Sequence, residues 1–323
     1  MKSSAIAHSN IALIKYWGRS SELNIPLNDS ISMTKNGIGD IKLKAHTTID
    51  FSEDFSEDVA ILNGEQLSDR NLERILLVIN PLREKSAINL NFKMESKNDF
   101  PTQSGLASSA AGFAALATAA SAALELKLSK EELSTYARLG SGSAARSIHD
   151  GFVHWHTGED HESSFAEQIC EPNDFQMNAV IAVINEEKKK VTSDVGHDSA
   201  FTSPLNSPRV TRSQEHAELI RKAILDDDFT TVGKIAESSA LYMHAVMMTS
   251  NPALYYWSSK TEKVMDLVRD SDINCFFTID AGPNVHVLCR PENREEVEKL
   301  LSDYKTIPAE PGEGSSVVQE HLF

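Results

Sequence analysis

The sequence predicts an α+β fold, with helices grouped against antiparallel sheets. Three observations predict it. Apolar side chains alternate at Ile41, Leu43 and Ala45 and again at Ile88, Leu90, Phe92 and Met94, on either side of an Asn63-Gly64 turn, the dipeptide that best suits a tight hairpin. Helical stretches alternate with such strands along the whole chain, without repeats or low-complexity tracts. A length of 323 residues exceeds one ordinary core and predicts two domains, drawn here at 1–185 and 186–323.

The elements follow in order. An apolar run over 59–62 enters the Asn63-Gly64 turn, and a helix starts near Asp69 with Ser68 as its cap. The small-residue run Pro101-Thr102-Gln103-Ser104-Gly105-Leu106-Ala107-Ser108-Ser109-Ala110 leads into an Ala-rich helix reaching about Leu126. Ser129 and Glu132 form a capping box for the next helix. A Gly-rich turn at Ser141-Gly142-Ser143 precedes a strand over 152–156, and 179–184 reads as a buried strand. The stretch 185–212, rich in Ser, Pro and charge, reads as a domain junction or loop. Beyond it come helices over 213–225, 229–248 and 261–269, strands over 275–279 and 285–289, and a last helix over 294–304.

Composition narrows the function. With 41% hydrophobic and 24% charged residues the chain reads as a soluble globular protein, without a membrane span or a signal peptide, and a cytoplasmic address is expected. A net charge of −16 opposes nucleic-acid binding. The one basic run, Lys188-Lys189-Lys190, follows Glu186-Glu187 and reads as a solvated loop. Cys170, Cys275 and Cys289 lack metal or redox spacing and read as reduced structural thiols. His8, His149, His154, His156 and His244 show no ligand spacing, and His154 with His156 on one strand face reads as packing.

Chemistry concentrates in four places. The loop before the Ala-rich helix is an anion site: small side chains admit backbone N–H groups to phosphate oxygens, the helix N-terminus adds partial positive charge, and Ser hydroxyls can donate hydrogen bonds or hold a phosphate-bound Mg²⁺. It is neither a Walker loop nor a dinucleotide fingerprint, and a nucleoside triphosphate is the expected ligand, the alternative being a tightly packed helix start with Ala and Gly chosen for close contact. In Asn10-Ile11-Ala12-Leu13-Ile14-Lys15-Tyr16-Trp17-Gly18-Arg19 a strand period puts Ile11, Leu13, Lys15 and Trp17 on one face. Lys15 then either meets an anion in a desolvated setting or carries its head out to solvent. Arg146, one helical turn after Ser143, offers a forked donor for a carboxylate or phosphate. Asp280 ends an apolar strand just before Gly282-Pro283, where a carboxylate can project into a cleft and orient an alcohol, or simply bond its own turn.

Six segments in order resemble one family: His8-Ser9-Asn10-Ile11-Ala12-Leu13-Ile14-Lys15-Tyr16-Trp17-Gly18, Asn28-Asp29-Ser30-Ile31-Ser32, the loop 101–112, the turn 140–147, Met243-His244-Ala245, and Asp280-Ala281-Gly282-Pro283-Asn284. Together they identify the chain as similar to the diphosphomevalonate decarboxylases of the GHMP kinase superfamily. The resemblance implies a ribosomal-protein-like N-terminal domain, a ferredoxin-like C-terminal domain, an active site in the cleft between them, and commonly a homodimer. It implies ATP with Mg²⁺, a phosphorylated mevalonate as substrate, phosphorylation of its C3 hydroxyl, and loss of phosphate and carbon dioxide to form an alkene. By resemblance Asp280, Lys15 and Arg146 are catalytic. Ser104, Gly105, Leu106, Ala107, Ser108 and Ser109 cradle ATP, with Ser108 a candidate Mg²⁺ ligand. Tyr16, Arg19, Ser141, Gly142, Ser143, Ser193 and Asp194 lie at the substrate.

One departure bears on the substrate. Family members carry Arg or Lys after the Ser of the segment Val191-Thr192-Ser193-Asp194-Val195-Gly196-His197, and that cation contacts the diphosphate. Here the position is Asp194, which would repel a terminal phosphate. Arg19 stands where the family usually has Lys. The segment 203–209 and the terminal Glu320-His321-Leu322-Phe323 look more like archaeal-type mevalonate monophosphate decarboxylases. The 5-diphosphate is the first expectation. The 5-phosphate, a 3,5-bisphosphate that needs no ATP, and a kinase that stops before decarboxylation remain alternatives.

Overall fold

The computed structural model describes residues 1–20, 23–100, 108–184 and 193–323. The loop residues Ser104, Gly105, Leu106 and Ala107 and the run Lys188-Lys189-Lys190 therefore lie outside the described residues. So do the side chains of Ser193 and Asp194.

Two sheets organise the chain. The first has the order β14 (Ser316–Val318), β1 (Lys2–His8), β4 (Lys44–Ser52), β7 (Asn91–Asn98), β5 (Val59–Leu62) and β6 (Glu65–Gln66). Its pairings are antiparallel except β5 with β7, which run parallel. Helices α1 (Asp69–Ser86), α2 (Ser108–Ala123) and α3 (Lys130–Gly140) cover one face, and their apolar side chains share one core with the sheet. The Ala-rich helix is buried nearly all round: Ala111, Ala114, Ala115 and Ala119 have no Cγ to hold it away from β1 and β4.

The second sheet has the order β11 (Cys275–Thr278), β12 (Val285–Cys289), β10 (Asn178–Val183), β13 (Lys305–Pro311), β3 (Ser30–Gly37), β8 (Phe152–Trp155) and β9 (Ala166–Cys170), with β2 (Asn10–Ala12) also paired to β3. Helices α5 (Asn206–Leu225) and α6 (Phe229–Thr249) pack on it through Ile220, Val232 and Ala236, and α7 (Ser259–Asp270) and α8 (Arg294–Leu300) through Val264 and Val297. Strands from both sides of position 185 thus share this sheet.

Several expectations hold. The Asn63-Gly64 turn has positive φ at both residues, joining β5 to β6. Ser129 and Glu132 form their reciprocal capping box. Ser68 is the N-cap of α1, but its side chain makes no capping bond.

Others are corrected. The strand expected through Ile11, Leu13, Lys15 and Trp17 stops at Ala12. The Leu13 and Ile14 amides both donate to the Ile31 carbonyl and the Lys15 amide to Ser239, so the segment is buried on every side and its alternation is not a strand period. Within 185–212, α4 (Ser193–Ser199) and the first two turns of α5 stand where a loop was expected. The buried face of α5 begins with Asn206, Arg209, Ser213 and His216, polar residues that display no hydrophobic period. Strand β4 begins only at Lys44 because Leu43 takes a left-handed conformation, and β7 begins at Asn91, after Ile88 and Leu90. The last helix ends at Leu300, the Ala-rich one at Ala123.

Candidate active site

Where the two sheets meet, a short 3-10 helix (Gly142–Ser147) carries Arg146 into the interior. Its guanidinium donates to Asn10 Oδ1 at 3.2 Å and to Ser30 Oγ at 3.1 Å, and lies over the Trp155 ring at 5.5 Å. Asn10 in turn donates to the Ser143 carbonyl at 3.0 Å and to Ser147 Oγ at 2.8 Å, which ties Arg146 to the small-residue turn. Burial lowers the Arg146 pKa to about 10, and the Asp280 carboxylate works against that fall.

Lys15 and Asp280 meet directly. Lys15 Nζ donates to Asp280 Oδ1 at 2.7 Å and to the Ala12 carbonyl at 2.7 Å, with only 1% of its side chain exposed. Burial lowers the Lys15 pKa, and Asp280 opposes the fall while Arg146 adds to it. Asp280 keeps 28% of its side chain accessible, so the carboxylate is enclosed on one side and reachable on another. Burial pushes its pKa up, but the Lys15 and Lys35 charges outweigh that and hold it at about 2. It is an ionised acceptor at any working pH.

Helix α6 braces both partners. Ser239 Oγ accepts the Lys15 amide at 2.9 Å, and His244 Nε2 lies 2.9 Å from the Asp280 carbonyl oxygen. The turn after Asp280 requires its glycine: Gly282 has φ +51, and a Cβ there would stand 2.6 Å from the Tyr256 carbonyl oxygen.

The hydroxyls expected around phosphate line up at the entrance to α2. Ser109 Oγ is 3.3 Å from Ser141 Oγ, which is 3.2 Å from Ser143 Oγ. The first turn of α2 holds no acidic residue. A hydroxyl row at the positive end of a 16-residue helix fits a polyphosphate and its Mg²⁺. Gly142 faces the Tyr16 ring, where a Cβ would come within 2.7 Å.

Tyr16 lies edge-on to Trp155 and tilts against His197 at a centroid distance of 4.2 Å. His197 is buried, with its pKa lowered to about 3 by burial and by Arg19 and Arg209, and its Nδ1 accepts the Gly18 amide at 2.9 Å. Arg19 donates to Asn24 Oδ1 at 2.7 Å and reaches the exposed Asp198 at 3.2 Å.

Sequence reasoning missed several groups here. Arg209 binds the Trp17 carbonyl at 2.7 Å and Asn28 Oδ1 at 2.8 Å, hidden in a segment read as loop. Lys35 and His286 are also buried beside Asp280 and stand outside the catalytic set drawn from the sequence. Asp29, His154 and His156 bring ligand-type atoms within 4.8 Å of one another, which segment-by-segment reading could not display. Both Asp29 oxygens already accept hydrogen bonds, one from His154 Nε2 at 2.9 Å and one from the Thr157 amide at 2.8 Å.

Residues 7–166 match the model of the diphosphomevalonate decarboxylase-like N-terminal domain, and residues 179–320 that of the mevalonate 5-diphosphate decarboxylase C-terminal domain. The chain belongs to the diphosphomevalonate decarboxylase family. It is 36% identical to the diphosphomevalonate decarboxylase of Candida albicans, over 96% of this chain and 89% of that one. It is 32% identical to the phosphomevalonate decarboxylase of Haloferax volcanii, over 94% and 93%. The solved mevalonate diphosphate decarboxylase of Staphylococcus aureus superposes with a TM-score of 0.91 at 37% identity, covering 98% of each chain. The structure of MDDEF in complex with MVAPP, AMPPCP and magnesium does so with the same score and identity, covering 99% of each. The fold is that of the family, and none of the described helices is long and apolar enough to cross a membrane.

Proposed function

We propose that this chain converts mevalonate 5-diphosphate to isopentenyl diphosphate, consuming ATP and releasing ADP, phosphate and carbon dioxide. The single observation that carries the reading is the 2.7 Å contact between a buried Lys15 and a partly accessible, ionised Asp280, with Arg146 close by. Ser109, together with the loop before α2, would hold the triphosphate, and Ser108 would hold Mg²⁺. ATP supplies the phosphoryl group that makes the C3 hydroxyl a leaving group.

The protein's part is alignment and charge. A tertiary alcohol is crowded and weakly acidic, and a carboxylate with a pKa of about 2 is a poor base toward it. Asp280 therefore orients the hydroxyl by accepting its hydrogen bond, and as the new O–P bond makes that oxygen strongly acidic its proton passes to the Asp280 carboxylate and on to solvent. Lys15 offsets negative charge gathering on the phosphoryl oxygens. Arg146 grips the substrate carboxylate, holding its C–C bond in line with the vacating C3–O bond. As phosphate departs, that bonding pair moves to form the alkene and carbon dioxide leaves.

Tyr16, Arg19 and the turn 141–143 contribute the remaining substrate contacts. The reading extends to the 1–185 and 186–323 division with ligands bound between the two parts, to a homodimer, and to a cytoplasmic address, which suits the three free cysteines.

The test is incubation with mevalonate 5-diphosphate, ATP and Mg²⁺, following carbon dioxide and ADP together. Equal release is expected. ADP without carbon dioxide would make the protein a kinase and overturn the proposal. A second reading, decarboxylation of mevalonate 5-phosphate, is favoured by Asp194 and by the Haloferax volcanii relative. The ratio of kcat/KM for the two substrates decides between them, and turnover of a 3,5-bisphosphate without ATP is the control.

A further inference from the structure

Lys35 stands outside the six segments that carry the family resemblance. It lies on β3 with no accessible surface, and its Nζ is 3.0 Å from His286 Nε2 on β12. An ammonium has three protons to donate, and this ring nitrogen takes one. With Nε2 accepting, the ring proton sits on Nδ1, a buried atom with no hydrogen-bond partner among the described residues. The pair thus combines two costly features, a sparsely bonded interior cation and an unsatisfied N–H. Apolar side chains of similar size would pack there without either cost. What the arrangement does supply is positive charge close to Asp280: His286 pairs across the ladder with Thr278, two residues before Asp280, and the Lys35 charge reaches that carboxylate.

We propose that Lys35, held by His286, is a positioning residue for Asp280: a second fixed charge that keeps the carboxylate ionised and aligned while Lys15 turns to the incoming phosphoryl oxygens. This rests on the reading of Asp280 as the group that orients the C3 hydroxyl. With one ammonium only, drawing Lys15 toward phosphate would leave a carboxylate enclosed and uncompensated. With two, the carboxylate retains a counter-charge throughout.

The groups facing the pair are Asp280 beyond β11, Lys15 beyond β2, and, next to both of these, Arg146 of the 3-10 helix. Burial pushes Lys35 down to about 8; Asp280 resists the fall and Lys15 adds to it. Its charge is therefore shed just above neutrality.

Lys35→Met, similar in shape and uncharged, is assayed with mevalonate 5-diphosphate, ATP and Mg²⁺ from about pH 6 to about pH 10. At neutral pH kcat is expected to fall about tenfold or more, while both KM values move less than about threefold. The alkaline fall in kcat is expected to move to higher pH, because the variant lacks the group that titrates near 8 and Lys15 loses a like-charged neighbour. His286→Gln, which retains an acceptor for Lys35, should keep the wild-type profile, and His286→Leu should take on that of Lys35→Met. An alkaline limb unchanged in Lys35→Met, or a rate loss that only tracks loss of folded protein, overturns the proposal. Should Lys35→Met fail to fold, the Lys35→Met/His286→Leu double variant strands no polar group and is read by the same two criteria. Asp280→Asn in the same assay separates the two ideas. Near-normal turnover there overturns the role of Asp280 and this inference with it, whereas an inactive Asp280→Asn beside an unshifted Lys35→Met profile overturns this inference alone.

Discussion

Asp280 and Lys15 form a buried ion pair whose removal has two separable effects. Asp280→Asn leaves the Lys15 ammonium without its counter-charge, which costs roughly 3–5 kcal/mol of stability, and it removes the acceptor proposed to orient the hydroxyl. Turnover is expected to fall by orders of magnitude while ATP affinity changes little, as read by steady-state rates and by titration with a nonhydrolysable nucleotide. Arg146→Lys keeps the charge but cannot span Asn10 and Ser30 at once, so decarboxylation should fall well beyond any loss of thermal stability. Surviving steady-state rates would remove Arg146 from the carboxylate site. These three residues were legible because each breaks a local rule: a lysine in an apolar run, an acid at a strand end, an arginine after small residues. Lys35, His286 and His197 were not. A fully buried strand has no solvent face to be violated, so the polar run around Lys35 reads as exposed, and only the neighbouring strand reveals otherwise.

At the scale of elements, α6 sets the distance between Lys15 and Asp280, since Ser239 and His244 fasten it to both. Its register depends on Gly233, where an added Cβ would lie 1.9 Å from the Phe276 ring of β11. Gly233→Ala must therefore push helix and strand apart. We expect a loss of about 1–3 kcal/mol by chemical denaturation, typical of overpacking, and a kcat loss at temperatures where the variant remains folded. Wild-type kcat and stability together would show that α6 does not set the pair. Elements with capping boxes or hairpin dipeptides were readable because their signals are local. The start of α5 was not, because its buried face is polar and its partners, Trp17 and Asn28, lie far away in sequence. Strand β13 was hidden by Pro308 and Pro311, which argue against an interior strand. Its ladder is staggered: residues up to Ala309 pair with β10, and only Ala309 onward pairs with β3.

For the whole molecule, the interior imidazoles set acid stability. Burial lowers the pKa of His197 to about 3 and that of His286 well below 6.5, so both stay neutral in the fold while the unfolded chain binds their protons below about pH 6.5. Stability is thus fully present above that pH and falls as pH drops, by about 1.4 kcal/mol per unit for each group. Asp280, held at about 2, adds a further loss only below about pH 4. Denaturant midpoints at near-physiological salt, where relief of the net charge is screened, should decline between about pH 6.5 and pH 5; a flat profile would mean these rings are charged inside the fold. The two-sheet arrangement was readable in class, whereas the closing of the second sheet by the end of the chain was not, since no local pattern announces a partner 270 residues away. That closing strand bears on how the protein is made. Because β13 stands between β10 and β3, every residue up to Pro311 must leave the ribosome before the sheet becomes continuous. At about 5–20 residues per second, the facing edges of β3 and β10 wait for many seconds with unpaired backbone groups during every round of synthesis. The nascent chain is then exposed to self-association through those edges, and the translation of β13 decides when that interval ends.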